Sequence, residues 1–382
     1  MKDKENKFTH KIRRKGLSKT TYKLFPIFGN HLSFIVLVIV LMAIGFFLQN
    51  HFWYARWYVF AITSYGLIIN DSIQTLGVFI TANAYRTKSV VMWCFISMIF
   101  FITMWASWML YDGDISYGRL QKKGFDKEIT TISFFQILAP IALLIVTRIG
   151  IPVSTTFFLL SAFVTKPEVI EEMVRKSFFS YLLAFFGALV LWSLVLLFTD
   201  QKNKKRPPHP YWFALQWLST GLLWNAWLMQ DGSNMGVCLP RSLSLHQFLV
   251  LVSFVLVLLM VLFTPLGGNM KRIVNQKTGI TDIRAATGVN SFYMLMLFAF
   301  TAWEKDKTPI STTWMFIGLL GGRELASGIF LKHKKRSKKQ SILKSIYLIV
   351  RDLNYILVGL VVSIGLSIVV NPEIRRSYQS FF

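Results

Sequence analysis

The sequence predicts an all-α, polytopic membrane protein built from two repeats, and three observations carry that reading. Charged residues make up 16% of the 382-residue chain, against 54% hydrophobic, whereas a soluble domain carries about 25% charged residues. The apolar residues fall in runs long enough to cross a bilayer, which takes roughly 20 residues of helix. Two polar motifs then occur twice, in the same order and at nearly the same interval. Backbone in lipid must satisfy its own hydrogen bonds, so the spans are helices rather than open strands. The repeats are expected to be inverted, with broken helices and re-entrant hairpins.

Taken in order, residues 1–30 form a basic tail with nine Lys/Arg in Met1–Lys23, expected on the cytoplasmic side. The basic stretch is too long for a cleavable signal peptide. Residues 31–200 form the first membrane repeat, starting with the charge-free run Ser33–Leu48. Residues 201–210 (QKNKKRPPHP) make a basic, Pro-rich linker. The second repeat covers 211–331, a basic loop 332–345, a final membrane helix 346–370 and a tail 371–382. About ten or eleven apolar segments are counted in all, some of them interrupted.

The net charge of +24 does not point to nucleic acid. The basic residues flank membrane spans, where they hold loops on the cytoplasmic side and meet anionic lipid. Cys94 and Cys238 offer no disulfide framework, and the six histidines give no metal-ligand pair at helical spacing. No nucleophile–base arrangement, P-loop or dinucleotide fingerprint occurs, which argues against an enzyme or an ATP-driven pump.

The first repeated motif reads Asn70-Asp71-x-x-Gln74, with Gly77 after it, and returns as Gln230-Asp231-x-x-Asn234 with Gly236. The second reads IPVSTT at Ile151–Thr156 and TPISTT at Thr308–Thr313. Asp71 and Asp231 lie 160 residues apart, and Pro152 and Pro309 lie 157 apart. Both acids are expected to interrupt long apolar stretches, at Asn70-Asp71 and at Gln230-Asp231-Gly232. A carboxylate within a membrane segment is costly and marks a functional site, although capping a broken helix would also use it. Asp71 and Asp231 suit a bound Na⁺, a carried proton, or hydrogen bonds from a protonated oxyanion. Asn70, Gln74, Gln230 and Asn234 suit either ligand contacts or helix–helix hydrogen bonding. Pro152 and Pro309 suit a first helical turn. Ser154, Thr155, Thr156, Ser311, Thr312 and Thr313 would then sit at half-helix N-termini, whose free N–H groups attract an anion.

These segments resemble the inorganic phosphate transporter family, the PiT-type permeases coupled to Na⁺ or H⁺. That family carries two GANDVANA-like segments and two PVSTTH segments. Here they stand as INDSIQTLG and RIGIPVSTTFFLLSAF, then MQDGSNMG and KTPISTTWMFIGLLGG. Lys277–Gly288 (KTGITDIRAATG) resembles the family's run before its second PVSTT, so the similarity spans Gly66 to Gly322. There are departures. The family's His after each STT is Phe157 and Trp314, and alignment of its membrane Glu residues falls on Phe101 and Phe292. A Phe neither binds a cation nor carries a proton.

The resemblance implies alternating-access transport of inorganic phosphate or a related oxyanion, and the compact chain without a long extramembrane domain is expected in a bacterial inner membrane. Asp71, Gln74, Asp231, Asn234 and the two STT triplets would contact the anion. Asn70, Asp71, Gln230 and Asp231 would serve the coupling ion, Na⁺ or H⁺, and no other cofactor is expected. Partners are the anion and the lipid bilayer; a homo-oligomer stays open, and nucleic acid is not expected. The rival expectations are a relative that moves another solute and a sensor or scaffold that transports nothing.

Overall fold

Thirteen helices and no strands make up the described residues of this computed structural model, which are 31–83, 86–122, 124–149, 153–198, 208–263, 282–303, 307–330 and 338–379. The basic tail 1–30, residues 201–207 of the linker, Pro152 and residues 277–281 of the 277–288 run lie outside them. The helices are α1 His31–Leu48, α2 Phe52–Thr75, α3 Gly77–Asn83, α4 Ser89–Leu110, α5 Phe134–Ile149, α6 Thr155–Leu160 and α7 Pro167–Phe198. After the linker come α8 Tyr211–Gly236, α9 Leu245–Phe263, α10 Ile283–Trp303, α11 Thr312–Phe330, α12 Lys338–Val370 and α13 Pro372–Gln379.

Five of these are long and apolar enough to cross a membrane: α4, α7, α9, α10 and α12. Helices α1 and α5 are apolar but shorter. Helices α2, α8 and α11 have the length and fall outside the apolar set, because they carry the polar motifs. Burial separates the two groups. Residues 223–236 of α8 are almost all buried, while α7 and α12 expose Phe186, Val190, Leu357 and Val361 on their outer faces. Exposed apolar side chains in such numbers match a lipid-facing surface. The polar helices lie at the centre with α10 against them, and α7 and α12 turn apolar faces outward.

The expected helix breaks at the acidic motifs are not found. Helix α2 runs unbroken through Asn70 and Asp71, and the chain yields only at Leu76, before α3. Helix α8 continues through Gln230, Asp231 and Gly232 to Gly236. The carboxylates find lateral side-chain partners, described below, so the helical backbone need not open to serve them. The STT residues stand at the N-termini of α6 and α11 as expected, but the second proline does not lie in a first helical turn. Pro309 precedes the helix, and Ser311 is the residue before its first turn. The two helices differ in length as well: α6 has 6 residues, whereas α11 has 19.

Helix α11 packs along α7 through glycines. Gly318 faces the Tyr181 carbonyl, and Gly322 faces the Phe185 carbonyl and the Leu189 N–H. Small residues four apart let two membrane helices approach backbone to backbone. At the C-terminal end, Asn371 donates to the carbonyls of Ser161 (3.0 Å) and Val164 (2.7 Å), tying the end of α12 to the turn after α6. Helix α12 starts at Lys338, eight residues ahead of the apolar stretch that begins at Ile346. Arg351 and Asp352, adjacent in α12, are bonded (3.0 Å), and the Arg323 guanidinium of α11 lies 5.7 Å from the centroid of the Trp192 ring.

The connection between α4 and α5 is an ordered loop folded against the protein. Asp114 holds it, accepting from Ser116 N (2.8 Å), Ser116 Oγ (2.6 Å) and Gly118 N (3.0 Å). Its turns need the left-handed region at Gly113 and Gly118, with φ of 90° and 73°. Arg119, 2% exposed, donates to the carbonyls of Met229 (2.9 Å) and Lys307 (3.1 Å). The loop thereby joins the segments leading into both motifs of the second half.

Candidate functional site

All four motif segments meet in one buried network. Helix α2 brings Asp71 and Gln74, three residues apart and therefore on one face; α8 brings Asp231 and Asn234 in the same way. The turns into α6 and α11 bring Thr155, Thr156, Thr312 and Thr313. Asp71 and Asp231 are at most 1% exposed, and the four threonines at most 4%.

The bonds in the two halves correspond. Thr155 Oγ1 donates to Asp71 Oδ2 (3.0 Å), and Thr312 Oγ1 donates to Asp231 Oδ2 (2.7 Å). Gln74 Nε2 donates to Asp71 Oδ1 (3.1 Å), and Asn234 Nδ2 donates to Asp231 Oδ1 (2.6 Å). The next pair crosses between the halves. Gln74 Nε2 donates to Thr313 Oγ1 (3.0 Å), and Asn234 Nδ2 to Thr156 Oγ1 (3.2 Å). Replacing each residue by the one 160 or 157 positions away maps each of these bonds onto its counterpart. Two contacts of Thr156 Oγ1 lack counterparts among the described bonds: it also lies within donating distance of Asp231 Oδ1 (3.2 Å) and of the Ile310 carbonyl (3.3 Å).

The remaining predicted residues take supporting places. Ser154 Oγ accepts from Phe157 N (3.3 Å), and Ser311 Oγ accepts from Trp314 N (3.2 Å). Both serines are thus helix caps. Asn70 donates to Asp71 Oδ1 (2.9 Å). Gln230 points to α10 instead and donates to Thr301 Oγ1 (2.6 Å). In this arrangement the threonine hydroxyls serve the carboxylates and amides rather than presenting an open anion cradle.

Three features escaped the sequence reading. Tyr293 of α10 is fully buried and its hydroxyl donates to the Thr312 carbonyl (2.9 Å), at the mouth of α11. A tyrosine in the middle of an apolar helix was the available signal. Its neighbour Phe292 faces elsewhere, with its ring tip against Gly187 of α7. Phe101 is 37% exposed and stacks on Trp105 at the outer surface. Neither phenylalanine stands in the network. Finally, Phe157 and Trp314, the residues after the two STT triplets, touch each other with ring centroids 5.1 Å apart. They pack the crossing point of the two halves.

Several polar atoms here are buried without partners: Gln74 Oε1, Asn234 Oδ1 and Gln230 Oε1. An unpaired buried acceptor costs about 1–3 kcal/mol, so two of them at corresponding positions beside two carboxylates need a partner. The set is oxygen-rich: two carboxylates, two amide oxygens and hydroxyls. Hard cations prefer such donors, and a proton would also relieve the acids. No cluster of three or more His, Cys, Asp or Glu occurs among the described residues. The donor set of paired carboxylates, amide oxygens and hydroxyls suits a hard cation or a proton.

No protein-family description, no curated protein and no solved structure matches the chain. The described residues are all-helical, with five helices suited to a membrane and a buried, twice-repeated acid–amide–threonine network among them.

Proposed function

We propose that the chain is a secondary transporter that moves inorganic phosphate, or a related tetrahedral oxyanion, together with Na⁺ or H⁺ by alternating access. The observation that carries this reading is the hydrogen-bond pattern repeated under exchange of the halves. Inverted repeats bring such segments together at mid-membrane in many transporters. The short α6 is read as part of a re-entrant hairpin, and the chain as a resident of a bacterial inner membrane with its N-terminus in the cytoplasm.

The chemistry orders the events. Two buried carboxylates repel an incoming anion strongly in a medium of low dielectric. A cation at Asp71 with Gln74, or at Asp231 with Asn234, would offset that charge and use the unpaired amide oxygens. The Thr155 and Thr312 hydroxyls, released from carboxylates that no longer need them, are then free to donate to the oxyanion. Coupling follows, because the anion is admitted only with its cation. The rival reading, a sensor or scaffold, draws on the threonine hydroxyls being fully engaged and on Phe157 and Trp314 filling the crossing point.

Uptake of labelled phosphate into proteoliposomes tests this, with Na⁺ and pH gradients varied separately. Saturable uptake is expected in the parent and its loss in Asp71→Asn/Asp231→Asn. Absence of uptake of phosphate and sulfate under either gradient, with monodisperse protein, refutes transport of these oxyanions.

A further inference from the structure

Helix α8 carries more polar chemistry than the carboxylate network uses. Gln216, Thr220, Trp224, Trp227 and Asp231 follow one another at spacings of four, four, three and four, so they form one stripe on the helix. The stripe is about 22 Å long at 1.5 Å per residue. Each of these side chains is at most 1% exposed. At the far end of the stripe from Asp231 lies a polar cluster shared with α10. Thr287 donates to Gln216 Oε1 (3.0 Å), and Asn290 donates to Thr220 Oγ1 (2.9 Å).

Between that cluster and Asp231 stand the two indoles. Trp224 and Trp227 are stacked, with centroids 4.8 Å apart and planes inclined by 9°. Both Nε1–H groups are buried and have no hydrogen-bond partner, and the Asn290 Oδ1 atom in the cluster has none either. Buried indole N–H groups ordinarily find an acceptor, and each orphan group requires an explanation such as a water or an ion. An indole N–H is donor only, so its absent partner must be an oxygen acceptor.

We propose that this face of α8 is the aqueous route to the carboxylate pair, with the Trp224–Trp227 stack as its constriction and the two indole N–H groups as a donor subsite for the passing oxygen acceptor. The acceptor is water in any case; that an oxyanion also uses the subsite rests on the transport reading. Polar residues within a membrane protein commonly face a water-filled cavity, and the cluster of Gln216, Thr220, Thr287 and Asn290 is the vestibule beyond the stack. The alternative for that cluster is a helix–helix clasp.

Cysteine accessibility in proteoliposomes decides between them, in a Cys94→Ala/Cys238→Ala background with a small, charged methanethiosulfonate. Thr220→Cys and Asn290→Cys are expected to react with reagent at one membrane face. Asn234→Cys, beyond the stack, should react about tenfold more slowly, because thiol exchange requires access. Trp224→Ala/Trp227→Ala should remove that difference, and Trp224→Phe/Trp227→Phe should keep it, since the rings remain. Inertness of both Thr220→Cys and Asn290→Cys at both faces overturns the route, and an unchanged Asn234→Cys rate in the alanine pair overturns the constriction. In the phenylalanine pair, phosphate uptake should fall severalfold; full uptake there refutes the donor subsite. Labelling as expected without any uptake in the parent upholds the aqueous route and refutes phosphate transport instead.

Discussion

Gly232 follows Asp231 directly, and a side chain there would strike the ordered loop rather than solvent. A Cβ built on Gly232 lies 2.8 Å from the Ile115 carbonyl oxygen, about 0.6 Å inside ordinary contact. The obstacle is backbone, and the loop cannot easily retreat. Asp114 holds it with three hydrogen bonds, and Ser107 Oγ donates to the Asp114 carbonyl (2.8 Å). Overpacking of this kind costs about 1–3 kcal/mol, against a gain of up to about 1 kcal/mol for Ala over Gly within a helix. Gly236 provides the control. Its Cβ would meet only side chains, Ile115 at 3.2 Å and Leu120 at 3.6 Å, and no backbone. Gly232→Ala should therefore be less stable than Gly236→Ala by about 1–2 kcal/mol. Thermal unfolding in detergent, followed by monodisperse elution after heating, measures the order. Equal midpoints, or Gly236→Ala as the weaker protein, would refute the rigid-loop argument.

Thr155→Val and Thr312→Val each remove a hydroxyl bonded to a buried carboxylate, so both should lose about 1.5–3 kcal/mol and by similar amounts; a large inequality in their melting would break the correspondence of the halves. Arg119→Lys keeps the charge but cannot span the Met229 and Lys307 carbonyls as a planar fork does, so a loss of about 1–3 kcal/mol is expected in the same assay. Asn371→Ala leaves the Ser161 and Val164 carbonyls without their donor and should cost about 1–3 kcal/mol, with faster proteolysis after α12. Phe101→Ala, at the outer surface, should leave phosphate uptake unchanged, whereas Tyr293→Phe, losing the bond to Thr312, should reduce it severalfold.

The sequence displayed the parts of the site and concealed their assembly. Asp71, Asp231 and the STT triplets stood out because charge and hydroxyls are conspicuous in apolar surroundings, and the paired intervals related them. The unbroken backbone at Asp71 and Asp231 was not visible, because it depends on threonines that arrive from elsewhere in the chain. The loop after α4 has no apolar periodicity; only its run of Gly113, Asp114 and Gly118 hinted at tight turns. The roles of Arg119 and Tyr293 are not legible locally, since they lie in contacts with residues more than a hundred positions away for Arg119 and nineteen for Tyr293. Phe157 and Trp314 read in sequence as two separate departures from a motif, and their mutual contact is a fact of three dimensions only.

The glycine seam between α7 and α11 limits what can move. With Gly318 and Gly322 set against the Tyr181 and Phe185 carbonyls, sliding one helix along the other would drive bulkier neighbours into that backbone. The two helices behave as one rigid strut, and Thr312 and Thr313 are mounted at its tip. On the transport reading, Asp231 would be exposed by α8 leaving the Thr312 hydroxyl, and Gln74 by α2 leaving Thr313, rather than by those threonines leaving them.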